Sequence, residues 1–164
     1  MFYPLSQSIG LTHALGPTMP TNIVFQNNIR YCELFGELTY EDCIFVIDNF
    51  RESQKSLGAI DFIHLKKSTV WRIGLKELRE LTKRIQGIAK PYQQIYSCCL
   101  VESDVSYGMA RMLSSLLEIF VKHIKFEIFR DEDKISEKIL EVRQDFEERG
   151  LLQTNEKALA TGGD

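Results

Sequence analysis

The sequence predicts a single α/β domain, a mixed sheet of about five strands with about four helices packed mainly on one side. Three observations predict it. Two apolar runs, Ile23-Val24-Phe25 and Ile29 to Leu38, are separated by little more than Asn27-Asn28. Asparagine tolerates left-handed turn geometry, so the pair reads as a hairpin. Downstream, strand-like apolar runs alternate with segments of helical period, the pattern of strand–helix–strand units. Finally, 164 residues suit one domain, and a chain of that size buries roughly 70% of its unfolded surface.

The elements follow in order. Thr39 with Asp42 is a capping signal for a helix from about Tyr40 to Gln54, whose buried stripe is Cys43, Ile44, Val46, Ile47 and Phe50. Ala59 to Leu65 is the third strand. A second helix runs from about Ile73 to Ala89, with Leu78, Leu81, Ile85 and Ile88 on one face, and stops before Pro91 because the residue preceding proline disfavours helical geometry. Gln94 to Val101 is an almost continuous apolar run, the signature of a central strand covered on both faces. The third helix, about Val105 to His123, is the most apolar. Phe126 to Phe129 forms the last strand, and a closing helix from about Lys134 to Glu148 buries Ile135, Ile139, Val142 and Phe146. Residues 1–21, with three of the four prolines, read as a mobile tail or surface strap, and residues 151–164 as a frayed end. The folded domain is expected over residues 22–150.

Composition narrows the function classes. A net charge of −3 and a pI near 5.7 argue against nucleic-acid binding driven by counterion release. No apolar run reaches the roughly 18–20 residues that span a bilayer, and no signal peptide is evident at the amino end. Cys32, Cys43, Cys98 and Cys99 lack the paired spacing of zinc or redox sites. A reducing cytoplasm is the expected location, with no metal and no cofactor.

Three stretches carry a resemblance: Gly36-Glu37-Leu38-Thr39 into the first helix, Ser103-Asp104 through Tyr107-Gly108-Met109-Ala110-Arg111, and Phe129-Arg130-Asp131. Together they resemble the SpoIIAA-like family, a bacterial branch related to STAS domains, over about Ile23 to Leu140. The resemblance implies a small sheet with helices mainly on one side and a non-enzymatic regulatory or interaction role. STAS anti-sigma-factor antagonists carry a phosphoacceptor serine at the start of the helix after the third strand. Here Trp71-Arg72-Ile73 stand at that position, and Ser68 and Thr69 lie a few residues earlier. A phosphorylation switch is therefore not expected.

Several residues are candidates for contact with a partner or ligand. Arg72, Lys76, Arg79 and Lys83 recur at helical spacing, which gives either a solvated face or a docking strip for an acidic partner or anionic head groups. The acidic closing helix of a second subunit is one such partner, and a homodimer is expected. Ser103 and Asp104 read as a helix cap. Tyr107 and Arg111, four residues apart, read either as packing residues, with Arg111 paired to Asp104 or Glu102, or as the lining of an anion pocket near that helix start. Trp71, read in a loop beside Lys66, Lys67 and Arg72, is either a partner anchor or a lid on the core, and Arg130 belongs to the loop after the last strand. No histidine has the neighbours of a catalytic triad, and no glycine-rich nucleotide loop is present. The expectation is a protein-interaction domain. The alternative is a binding module for a small apolar or anionic ligand, as in the CRAL-TRIO group by resemblance.

Overall fold

The computed structural model describes residues 21–53, 57–90 and 93–152. Seven strands and four helices follow one another: β1 (Thr21–Gln26), β2 (Ile29–Leu34), β3 (Glu37–Leu38), α1 (Tyr40–Ser53), β4 (Gly58–Leu65), β5 (Val70–Trp71), α2 (Leu75–Ile88), β6 (Gln94–Val101), α3 (Asp104–Phe120), β7 (Ile124–Phe129) and α4 (Glu132–Glu148). The main sheet has five strands in the order β1-β2-β4-β6-β7. β1 and β2 are antiparallel and the remaining pairs parallel. The expected α/β domain with a five-stranded mixed sheet and four helices is what forms.

Local chemistry explains the turns and helix starts. Asn27 and Asn28 have φ of 52° and 64°, the left-handed pair that a tight hairpin turn requires. Gly36, at φ 68°, breaks the expected long second strand, and the chain beyond it forms β3, which pairs with β5 instead. Each helix begins on a side-chain acceptor, as orphan amide groups demand. Thr39 and Asp42 bond reciprocally, through the Thr39 N–H at 2.8 Å and the Asp42 N–H at 3.3 Å. Glu77 accepts from the Gly74 N–H at 2.9 Å, Ser103 from the Ser106 N–H at 3.1 Å, and Asp131 from the Asp133 N–H at 3.0 Å.

The sheet order steps in one direction from β2 to β7. Crossovers of constant hand then place α1, α2 and α3 on the same face. α4 follows β7, leads to no further strand among the described residues, and covers the opposite face. Parity along β6 shows the division. Cys99 and Val101 pack under α1–α3, while Tyr96, Cys98 and Leu100 pack with Ile135, Ile139 and Phe146 of α4. β6 is buried from Ile95 to Val101, as its apolar run predicts. Leu152 is 7% exposed and the Gly58 N–H donates to Leu151 O at 2.8 Å, so these two residues join the packed body. Residues 1–20, 153–164 and the expected helix end at Gln54 lie outside the described residues. No helix among the described residues is long and apolar enough to cross a membrane.

Candidate functional site

Two places concentrate unusual chemistry. The first lies between the sheet and the three-helix layer. β2, β4, β6 and β7 supply a floor that includes Ile63, Cys99 and Phe126. α1, α2 and α3 supply a roof that includes Val46, Leu81 and Leu117. A cavity of about 130 Å³ separates them. Its lining is aliphatic and aromatic except at one corner, where Arg30, Asp61 and Ser97 meet.

That corner is a closed ionic knot. Arg30 and Asp61 are 2% and 5% exposed, and parallel pairing of β2 with β4 places them side by side. The guanidinium donates to Asp61 Oδ1 at 2.8 Å and Oδ2 at 2.9 Å, and to the Val46 carbonyl of α1. It lies 4.9 Å from the Phe50 ring centroid. The Ser97 hydroxyl donates to Asp61 at 3.4 Å. Burial alone would lower the Arg30 pKa, but the Asp61 charge and hydrogen bonds raise it overall. A bidentate pair in a dry site holds both charges together. Burial also pushes the Cys32 and Cys43 thiols up to about 12 and raises Cys98 and Cys99 as well. All four cysteines are free and buried and serve as small apolar side chains rather than nucleophiles.

The second place is the rim at the carboxyl ends of the parallel strands, where open α/β sheets present their loops. His64 Nε2 lies 2.7 Å from Glu102 Oε1, and Glu102 Oε2 accepts from the Lys67 N–H at 2.9 Å. Lys66 Nζ bridges Glu33 at 3.0 Å and Glu102 at 3.9 Å. The Lys67 amide bond, helped by His64, holds the Glu102 carboxyl below its ordinary 4.5. A carboxylate with a depressed folded value stabilises the protein above its unfolded value and loses that contribution as pH falls through the folded one. Glu102→Gln should therefore lower the urea midpoint at pH 7. The difference from the parent protein should shrink once the pH drops below 4.5. A gap that is unchanged by acid would contradict this assignment.

The residues singled out in the sequence do not gather into one site. Trp71 lies in β5 rather than in a loop. It is half-buried against the core, and its indole N–H donates to Ser106 Oγ at 3.2 Å. Arg72 precedes α2 and pairs with Glu37 at 2.5 Å. Lys76, Arg79 and Lys83 are exposed along α2. Ser103 caps α3 as expected. Asp104 pairs with Arg130 at 2.7 Å, and the Arg130 guanidinium stands 4.4 Å from the Tyr107 ring centroid. Arg111, expected to join Tyr107 or pair with Asp104 or Glu102, is exposed on α3, and Arg130 takes that place. Ser68 is exposed. Thr69 is buried and donates to Leu34 O at 2.8 Å.

α2 and α4 sit on opposite faces, so a contact between the basic strip and an acidic closing helix is head-to-tail. Such a contact builds open chains or rings, not a two-fold dimer. Several α4 acids also have partners on their own helix: Glu141 with Lys138 at 2.7 Å, Glu147 with Arg143 at 2.8 Å, and Asp145 with Arg149 at 3.0 Å. No group of three or more metal-ligating side chains occurs among the described residues.

Arg30, Asp61 and Ser97 were missed from the sequence. The available signal was a charged residue in the middle of each of two apolar strands, Ile29-Arg30-Tyr31-Cys32 and Ala59-Ile60-Asp61-Phe62-Ile63. Charges are rarely buried unless paired.

No family model matches the chain, and no curated protein matches it. Among solved structures it is similar to one described as an enoyl-CoA hydratase from Shewanella pealeana, with a TM-score of 0.41 and 8% identity over 76% of this chain and 74% of that one. Two expectations are corrected. The SpoIIAA-like assignment, with its STAS and CRAL-TRIO associations, is withdrawn, because no family model supports it. The quoted stretches have a local physical explanation instead: a left-handed Gly36, a Ser103 cap and an Arg130 ion pair suit many strand–helix units. The non-enzymatic expectation is withdrawn as well, because it rested on that resemblance. At a TM-score of 0.41 that likeness lends this chain neither its fold nor its reaction.

Proposed function

We propose that the protein is a binding module for a small apolar molecule held between the sheet and the α1–α3 layer. The cavity carries the reading. At about 130 Å³ it approaches the roughly 150 Å³ Leu/Ile/Phe-lined cavity that admits benzene. Its one polar corner is internally neutralised, because Arg30 is already held by both Asp61 oxygens and a backbone carbonyl. An anion would gain little there and would lose its hydration. The ligand favoured is therefore uncharged and the size of a single ring. The basic strip on α2 carries the reading less well, since solvated Lys and Arg side chains need no partner.

Benzene at about 100 times its dissociation constant is expected to add about 2.7 kcal/mol to the stability of the folded protein, read as a rise in melting temperature. Ala110, 3% exposed and lining the cavity, offers the control. Ala110→Leu fills the space and should abolish the shift while the variant stays folded. Native mass spectrometry of protein taken from cells should show a small co-purified mass. No benzene shift in the parent protein, or an equal shift in Ala110→Leu, would sink the proposal.

A further inference from the structure

β7 forms one edge of the main sheet, with β6 as its single neighbour among the described residues. Its sequence is Ile124-Lys125-Phe126-Glu127-Ile128-Phe129. Read about Phe126, the first five residues mirror themselves, with isoleucine matching isoleucine and lysine matching glutamate of opposite charge. We propose that this edge pairs antiparallel with β7 of a second copy of the chain, about a two-fold axis through Phe126, to make one continuous sheet across a homodimer. This inference does not depend on the cavity.

The backbone is set for it. Ile95 N–H donates to His123 O at 3.2 Å, and Ile95 registers with Ile124, Ser97 with Phe126 and Cys99 with Ile128. In a parallel ladder this turns the peptide groups of Lys125, Glu127 and Phe129 towards β6. Those of Phe126 and Ile128 point outwards with the Ile124 carbonyl, while the Ile124 N–H donates to Val121 O at 3.2 Å. With the axis at Phe126, Phe126 meets its own copy as a hydrogen-bonded pair and the Ile128 N–H meets the Ile124 carbonyl. Roughly four bonds across the axis result.

The side chains select the same register. Lys125 of one copy faces Glu127 of the other in the non-hydrogen-bonded position, where cross-strand side chains approach most closely. Lys125 and Glu127 already touch within one chain at 2.7 Å, so the dimer closes a ring of four alternating charges. Moving the axis to Lys125 or Glu127 opposes like charges instead. On the other face Phe126 meets Phe126, and Ile124 meets Ile128. An open groove of about 910 Å³ flanks the strand from Ile124 to Glu127, lined also by Glu118 of α3 and Lys138 and Glu141 of α4. Beyond the strand ends Lys122 would face Arg130 of the second copy, and this limits the ladder to its five central residues. A lysine on a sheet edge ordinarily discourages pairing; here the opposing glutamate of the second copy converts it into a register key.

Charge variants test the proposal. Light scattering at about 0.1 mM should give twice the mass of one chain for the parent protein. Lys125→Glu places carboxylates opposite carboxylates and Glu127→Lys places ammonium groups opposite ammonium groups. Each should weaken the dimer roughly tenfold or more. An equimolar mixture of the two variants restores opposite charges across the axis and should form a one-to-one heterodimer. Circular dichroism checks that each variant is folded, because Glu127 also accepts the Tyr96 hydroxyl at 2.7 Å. Should Glu127→Lys fail that check, amide exchange decides: Phe126 and Ile128 should be protected in the parent protein and exposed in Lys125→Glu. A monomeric parent protein, a Lys125→Glu variant that stays fully dimeric, or outward amides that exchange freely in the parent would overturn the proposal.

Discussion

Asp61→Ala is expected to cost about 3–5 kcal/mol of unfolding free energy, because it leaves the Arg30 charge buried without its partner. Both residues are nearly inaccessible, at 5% and 2% exposure, so water cannot replace the lost carboxylate. The Val46 carbonyl would remain the single strong acceptor for the guanidinium, and Phe50 would supply only a ring face. In a domain of this size the loss corresponds to a fall of about 10 °C or more in melting temperature. The pair itself need not be stabilising, since two charges taken out of water cost nearly as much as their attraction returns. The double variant Arg30→Met with Asp61→Leu should therefore regain most of the loss. Urea unfolding of the single and double variants checks both statements. If Asp61→Ala proved nearly neutral, or the double variant were worse than the single, the reading of this knot as a closed, dry pair would fail.

Phe146→Ala is expected to cost about 3–5 kcal/mol. Phe146 is 6% exposed and anchors α4, the one helix on its face of the sheet among the described residues, beside Ile60, Tyr96 and Cys98. It lies so close to β4 that a Cβ on Gly58 would stand 2.7 Å from the ring. The ring therefore fills space the glycine leaves open, and truncation creates a cavity that a rigid strand cannot collapse into. Leu140, on the same helix but 65% exposed, is the control, and Leu140→Ala should stay within about 0.5 kcal/mol of the parent. Similar midpoints for the two variants would contradict the packing described for α4.

Much of the fold was legible in the chain because its signals are local. Asn27-Asn28 marks a turn through backbone freedom, and Thr39 and Ser103 mark helix starts through side-chain acceptors. Seven consecutive buried residues of β6 appear as an unbroken apolar run. Errors arose where a local signal had two outcomes. The run from Ile29 to Leu38 reads as one strand, yet Gly36 turns the chain so that β3 pairs with β5, a choice set by a partner more than thirty residues away. Trp71 looked like a loop residue because a two-residue strand is too short to show a period.

The candidate site was hardly legible, for a different reason. Arg30 and Asp61 each look like a misplaced charge until the parallel register of β2 and β4 sets them together. Similarly, Tyr107 and Arg111 share helical spacing, but Arg130 arrives from another strand end to take the ring face and the Asp104 carboxylate.

The Asn27-Asn28 turn, the Thr39 and Ser103 caps and the alternation of strands with helices follow from covalent geometry and near-neighbour hydrogen bonding, so the linear chain was enough to decide them. The mirrored charges of β7 were also written there, but nothing in one dimension says which strand is left at an edge. Which face each helix covers, which buried charges meet, and where packing stops short and leaves a cavity all depend on segments distant in sequence competing for the same volume. Those outcomes exist only once the sheet has assembled.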